Sequence, residues 1–302
     1  MHLKKIVLNN FRNYCRAEVI FDPDLNIFIG DNAQGKTNLL EAIYYLAGGR
    51  SYRTNQEKEI IHWDQDSFIL SAFFETIKGS YKLQVVNYLN GKKKVKINGI
   101  DYNNIKDYFK AVIFSPDDLN LVKGAPSQRR DFLDIEINQI FPLYSYNLQN
   151  FYKILRHRNK LLKLRVDNKK TEQSLQVWNE QLVKYGSFIL KKRLEVINYL
   201  SGPANFIHRR LTDNRENLFL LYSSGLDLKI DHTIEEIKDI YTEELEKKRE
   251  EEIRYGLTLL GPHRDDLKIF INNQLTRKYA SQGQQRTCVL SLKLSVMELI
   301  KE

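Results

Sequence analysis

Gly30-Asp31-Asn32-Ala33-Gln34-Gly35-Lys36-Thr37 decides how this chain is read. The letters follow G-x-x-x-x-G-K-T, the phosphate-binding loop, and the flanks supply the context such a loop requires. Ahead of it, Asn26-Ile27-Phe28-Ile29 is a short apolar run that reads as a buried strand. Behind it, Leu39, Leu40, Ala42, Ile43, Leu46 and Ala47 recur at helical spacing. Gly30 and Gly35 let the backbone curl so that successive N–H groups face phosphate oxygens, and the helix N-terminus adds partial positive charge. Lys36 is placed to neutralise the β- and γ-phosphates of a nucleoside triphosphate such as ATP, and the Thr37 hydroxyl to hold Mg²⁺ as the metal ligand.

Beyond the loop, 302 residues are enough for one large or two ordinary domains with a real core. No apolar run is long enough to span a bilayer, and Met1-His2-Leu3-Lys4-Lys5 begins a strand-like pattern, not a signal peptide, so no membrane association is expected. Cys15 and Cys288 lie far apart without metal-ligand spacing, which fits a reducing compartment and a cytoplasmic protein. A formal charge of +9 favours a polyanionic partner.

Residues 3–29 read as two or three strands turning at Asn9-Asn10-Phe11-Arg12-Asn13 and again at Asp22-Pro23-Asp24. Residues 67–102 read as an antiparallel sheet, its runs separated by Lys78-Gly79, Asn90-Gly91 and Asn98-Gly99. Lys92-Lys93-Lys94, on one of these turns, reads either as a phosphate contact or, the commoner case, as a solubilising edge. Ala111-Val112-Ile113-Phe114 suits a central strand, ending in the polar group Ser115-Pro116-Asp117-Asp118. From about 127 to 253 the pattern turns mostly helical: one helix capped by Ser127, a second after Pro142, a third stopping at Gly202-Pro203, and a charged, solvated helix over 234–253. Strand pattern intervenes over 218–222 and returns at 255–260 and 267–271.

Three further stretches carry chemistry. Lys153, Arg156, His157, Arg158, Lys160, Lys163 and Arg165, with Lys169 and Lys170 beyond, face only Asp167 and form a basic stripe. Either the stripe neutralises nucleic-acid phosphates or it is a solvated face paired with acids such as Glu172 or those of 243–252. The loop Arg50-Ser51-Tyr52-Arg53-Thr54 leaves the same choice. His263, Arg264, Asp265 and Asp266, after Gly261-Pro262, read either as a metal or catalytic cluster or as a salt-bridged corner. Ser281-Gln282-Gly283-Gln284-Gln285-Arg286 opens an amphipathic helix with Ser281 as N-cap, making a second anion site.

The phosphate loop upstream and Ser-x-Gly-Gln-Gln-Arg downstream resemble the two halves of an ABC-type ATPase site. With Asn10-Phe11-Arg12-Asn13, the loop extended to Asn38, residues 114–119, and Gly261-Pro262-His263-Arg264-Asp265-Asp266, they resemble the RecF family of bacterial recombination mediators, related to SMC proteins. The resemblance covers the whole chain. It implies an α/β fold: an ABC-type P-loop ATPase head with an antiparallel β subdomain, over 1–126 plus 254–302, and an inserted, mainly helical lobe over 127–253. It adds Arg12, Asn13 and Asn38 to the ATP-binding residues, and makes Ser281, Gln282, Gly283 and Gln284 the signature that contacts ATP across a homodimer. It further implies DNA repair and replication, within the SOS response, by a dimer that clamps DNA at gaps or single-strand/double-strand junctions. RecR and RecO are the implied partners in loading recombinase. Arg50, Arg53, Lys153, Arg156, Arg158, Lys160 and Lys163 are the expected DNA contacts.

The family's signature helix leads into a strand ending in acidic residues, and no such run follows Leu299-Ile300 before Glu302. Asp117 and Asp118 lie upstream and do not fit that role. The expectation is a C-terminally incomplete chain with no assigned catalytic residue and weak ATP turnover. Two other classes compete with this reading, a small-molecule P-loop kinase and a transporter-type ABC ATPase subunit. The signature-like helix start has no task in the first, and the large basic helical segment is foreign to the second.

Overall fold

Alternation of apolar and polar side chains builds the first part of the computed structural model, which describes residues 1–54, 56–102, 108–164 and 169–301, with 169–171 described by backbone alone. The chain divides into two compact units, Met1–Ile113 and Phe114–Glu302.

In the first unit, β1 (His2–Phe11) and β2 (Tyr14–Ile20) form a hairpin, followed by α1 (Lys36–Gly48). Then come β3 (Ser67–Thr76), β4 (Gly79–Tyr88), β5 (Lys93–Ile97) and β6 (Ile100–Tyr102). All pairings are antiparallel, in the order β2-β1-β3-β4-β5-β6. The two-residue turn Asn98-Gly99 joins Ile97 to its partner Ile100 with both turn residues at positive φ, as the Asn-Gly reading requires. One face of the sheet contributes Ile6, Leu8, Phe68, Leu70, Ala72 and Leu83 to a core closed by Leu39, Ala42, Tyr45 and Leu46 of α1. Lys93 does more than solubilise an edge: its ammonium donates to Glu57 and to the Gly49 carbonyl, 2.9 and 2.5 Å away, and lies over the Tyr45 ring.

Two expected strands do not form. Residues 26–29 run as irregular chain with Ile27 72% and Ile29 91% exposed, and 111–114 are likewise irregular with Phe114 exposed. An apolar run becomes a strand only where a neighbouring ladder takes up its backbone groups, and among the described residues neither run has one.

The second unit opens with a 3-10 turn, Pro116–Leu119, capped reciprocally by Ser115 and Asp118. Its helices are α2 (Asn120–Lys123), α3 (Pro126–Ile140), α4 (Pro142–Lys163) and α5 (Lys169–Leu211). After them come β7 (Leu218–Ser223), α6 (Ile234–Lys247), α7 (Arg249–Tyr255), β8 (Asp266–Ile271), β9 (Gln274–Leu275), α8 (Thr276–Tyr279) and α9 (Gln282–Lys301). Strands β7, β8 and β9 form a small antiparallel sheet. Residues 254–302, grouped with 1–126 in the sequence reading, lie in this unit, where α9 packs on α5 and β8 pairs with β7.

Several helix boundaries depart from the sequence reading. Ala125, not Ser127, is the N-cap of α3, because Pro126 takes the first helical position. Helix α5 continues through Pro203, with Ala204 and His208 fully buried beyond it, so packing outweighs the hydrogen bond that proline removes. The helix over 234–253 breaks at Lys248 and is not merely solvated: Ile237, Tyr241, Leu245 and Glu252 are buried. Residues 256–260 are not a strand, since Gly256 ends α7 in a left-handed conformation.

Candidate nucleotide-binding site and nucleic-acid interface

The phosphate loop passes into α1 through a left-handed residue. Gly35 is the N-cap of α1 at φ 96°, and a Cβ there would come 2.8 Å from the Tyr14 hydroxyl and 3.0 Å from Nδ2 of Asn13. Glycine is therefore needed twice, for the backbone angle and for the approach of the β1–β2 turn. Asn13 and Tyr14 thus lie directly on the loop, a place the sequence showed for Asn13 only through resemblance. Residues 31–34 and Thr37 are exposed, and Lys36 Nζ donates to the carbonyls of Gly30 and Asp31 at 2.5 and 2.6 Å. The N-terminal N–H groups of α1, the ammonium and the Thr37 hydroxyl are of the kinds that suit a polyphosphate, and a hydroxyl oxygen is of the hard class that Mg²⁺ takes.

Behind the loop, α1 carries a network that sequence reasoning missed. Glu41 is fully buried and its carboxylate accepts from Arg12 Nε and Nη2 at 2.9 and 2.5 Å. It also accepts from Ser51 Oγ at 2.5 Å and Arg53 Nη1 at 3.1 Å. Asn38 accepts from Arg53 Nη1 and donates to Asn13 Oδ1, both at 2.8 Å. One buried carboxylate thus fixes both the β1–β2 turn and the 50–54 loop against the helix that starts at the phosphate loop. A glutamate four residues after Thr37 in an otherwise apolar helical stretch was the available signal. Arg50 and Arg53 are both exposed, and Arg53 is anchored here.

The basic stripe separates into two parts. Lys153, Arg156, His157, Lys160 and Lys163 are exposed on one face of α4, at the three- and four-residue spacing that aligns helical side chains. Among the described residues none of the four Lys and Arg side chains has an ion-pair partner: Glu172 pairs with Arg249, Glu243 and Glu244 with Lys247, and Glu251 with Lys248. Arg158, expected to contact DNA, does not belong to this face. It is 1% exposed, donating to Glu252 at 2.6 Å, Thr258 at 2.7 Å and Asn179 at 2.7 Å. A residue two positions from Arg156 falls on the opposite side of the helix, which here is the core side. Arg165 and Asp167 lie outside the described residues, and the side chains of Lys169 and Lys170 are likewise outside them.

Residues 261–266 resolve to a salt-bridged corner. Asp265 is 2% exposed and accepts from the Tyr222 hydroxyl at 2.6 Å, Ser224 at 3.1 Å and the Gly225 amide at 3.4 Å; burial raises its pKa. Asp266 is held bidentately by Arg129 at 2.7 and 2.9 Å. His263 Nε2–H donates to the Thr258 carbonyl at 3.2 Å, and burial, helped by nearby arginines, lowers its pKa to about 4. Nearby, Arg193 is fully buried and donates to Asp134 and the Pro262 carbonyl at 2.7 and 2.6 Å. No group of three metal-ligating side chains exists among the described residues. Asp118, at the other polar corner, pairs with the nearly buried Lys293 at 3.2 Å.

At the start of α9, Ser281 Oγ accepts from the Gln284 amide at 3.3 Å, and the Gln284 side chain accepts from the Ser281 amide at 2.8 Å. This is the expected cap, made reciprocal. Ser281, Gln282 and Gly283 are exposed, while Gln284 turns inward and donates to Glu216 at 2.8 Å.

The chain matches the family described as RecF/RecN/SMC N terminal domain over residues 2–301. It belongs to the RecF family. It is 45% identical to the DNA replication and repair protein RecF of Natranaerobius thermophilus, covering 100% of this chain and 81% of that protein. A solved structure of the recombination mediator protein RecF-ATP in the RecFOR pathway matches with a TM-score of 0.92 at 35% identity, over 100% of this chain and 81% of that one. An SMC head bound to the C-winged helix domain of ScpA, at 13% identity and a TM-score of 0.51 over 99% of this chain and 77% of that one, shares the fold. The RecF family's fold is that of an SMC-like, ABC-type ATPase head, mixed α/β with an antiparallel sheet, and this chain has it. No described helix is long and apolar enough to cross a membrane.

Proposed function

We propose that this protein binds ATP with Mg²⁺ at Gly30 to Thr37 and uses it to control its grip on DNA during replication and repair. The observation that carries the reading is the phosphate loop itself: exposed residues 31–34 leading into the start of α1, with Lys36 and the exposed Thr37 beside them, in a chain that matches ATP-bound RecF over its whole length. Bound there, the triphosphate supplies a concentrated negative charge. Lys36 exchanges the Gly30 and Asp31 carbonyls for phosphate oxygens, while Asn38 and Glu41 keep Arg12, Asn13 and Arg53 in place around the loop.

The second anion site, Ser281 to Gly283 at the head of α9, meets the triphosphate of a second copy, so ATP joins two copies and the dimer closes on gapped or junction DNA. DNA lies along Lys153, Arg156, Lys160 and Lys163, with Arg50 as a further contact; phosphate contacts of this kind position without reading sequence. RecR and RecO are the partners this reading gives the protein, in the cytoplasm, and the RecFOR pathway printed for the matching RecF structures supports that pairing. A kinase reading leaves the exposed Ser281 cap and the unpaired α4 face without a task.

Fluorescence anisotropy with a gapped duplex, with and without ATP, tests the proposal. The wild type should bind more tightly with ATP, and Arg156→Glu with Lys160→Glu should weaken binding at least about tenfold on all sequences alike, reducing the salt slope by about 2. Affinity unmoved by the charge reversal, or indifferent to ATP, would reject it.

A further inference from the structure

The first unit displays a tryptophan that neither nucleotide nor nucleic acid accounts for. Trp63 is 89% exposed, and among the described residues its ring touches no other ring or cation. It occupies the second position of a tight turn closed by Gln65 N–H donating to the His62 carbonyl at 3.2 Å. Asp64 completes the turn at φ 61°, an angle aspartate tolerates better than most residues. The turn is pinned on both sides. His62 N–H donates to the Asn10 carbonyl at 2.8 Å, Asn10 Nδ2 to Gln65 Oε1 at 3.0 Å, and Leu89 N–H to the Asp66 carbonyl at 2.7 Å. The indole is therefore held out by a fixed backbone.

Around it lies an open groove of about 670 Å³, with Leu89, 55% exposed, as its second apolar surface. Glu59, Asp64 and Asp66 line the groove against one cation, Lys58, so it is net acidic in a chain whose formal charge is +9. Such a rim repels nucleic-acid phosphate and anionic lipid alike. A fixed, solvated indole beside Asp64 and Asp66, which have no ion-pair partner among the described residues, is suited to a guanidinium or ammonium that lies over the ring while the carboxylates hold its charge, with an apolar neighbour covering Leu89.

We infer that the Trp63 groove is a docking site for a basic, leucine-bearing segment of a protein partner. Trp63 is the anchor, and Asp64 and Asp66 select for positive charge. The proposal uses none of the residues assigned above to the nucleotide or to DNA, so its failure would leave that reading untouched.

The test uses the full chain with Trp178→Phe, which leaves Trp63 as the sole tryptophan reporter, and a short synthetic peptide of alternating arginine and leucine as probe. Saturable change in Trp63 emission is expected. Asp64→Lys with Asp66→Lys should weaken peptide affinity about tenfold, the scale of a lost charge pair at an interface. Trp63→Ala, followed by calorimetry in the otherwise unchanged chain, should weaken it at least as much. Glu243→Lys with Glu250→Lys, reversing exposed acids elsewhere, should leave it unchanged. The inference is overturned by unchanged emission, by equal weakening from both charge reversals, by ATP competing with the peptide, or by Trp63→Ala abolishing self-association instead of peptide binding.

Discussion

Two motifs of similar polar density, 30–37 in the first unit and 261–266 in the second, meet opposite fates. The first keeps its groups at the surface: residues 31–34 and Thr37 are exposed, and the Lys36 ammonium rests on carbonyls it can exchange. The second turns its groups inward, onto Arg129, Tyr222, Ser224 and Thr258. Charge in a sequence therefore says little about function until burial is known. A site is recognised by groups left unsatisfied at the surface, and a structural corner by groups whose partners are already in the fold.

The contrast breaks most visibly if an inward group is removed. Arg158→Ala leaves the Glu252 carboxylate buried without its guanidinium, so stability should fall by about 3–5 kcal/mol in urea denaturation. A loss below about 1 kcal/mol would mean that α4 presents Arg158 outward after all.

The pH dependence comes next. His263 is neutral in the fold because its pKa is lowered to about 4 from 6.5, so the unfolded chain binds a proton that the native one refuses. Stability from this group is full above pH 6.5 and falls as pH drops toward 4, amounting to about 2 kcal/mol between pH 7 and pH 5. The raised pKa of Asp265 acts in the opposite sense, its contribution being lost as pH rises through it, so the comparison is made against His263→Gln, which should flatten the difference in thermal midpoints between the two pH values. An unchanged pH slope in that variant would count against a buried neutral imidazole.

Ser281 stands between the two fates, since its hydroxyl caps α9 yet stays exposed. Ser281→Arg should cost about 1 kcal/mol of stability, the ordinary value of an N-cap, while abolishing ATP-dependent dimerisation in sedimentation velocity. A dimer that persists would show that the α9 head is a cap and nothing more.

The local rules were legible in the sequence where the signal is short-range. The phosphate loop, the Asn-Gly hairpins of the first sheet and the Ser281 cap follow from turn chemistry and helix ends, and all three are found. What failed depended on neighbours far along the chain. Residues 26–29 and 111–114 have strand composition but no ladder among the described residues. Pro203 reads as a stop, yet the burial of Ala204 and His208 carries the helix past it. Arg158 looks like its neighbours in letters, and only its position facing Glu252 and Thr258 distinguishes it. Glu41 stood out as a glutamate in an apolar stretch, but its partners Arg12, Ser51 and Arg53 come from two other segments and could not be read from it.

Helix α5 has 43 residues, a rod of about 65 Å. Near one end Asn179 and Trp178 touch Arg158 and His157 of α4, beneath the exposed basic face; near the other His208 meets Ser291 of α9, about three turns past the Ser281 cap. Helical backbone is continuous between the two contacts, so both belong to one element. A tilt of about 5° imposed at the α9 end would swing the other end by about 6 Å, a stroke comparable to the spacing of successive phosphates along a nucleic-acid strand.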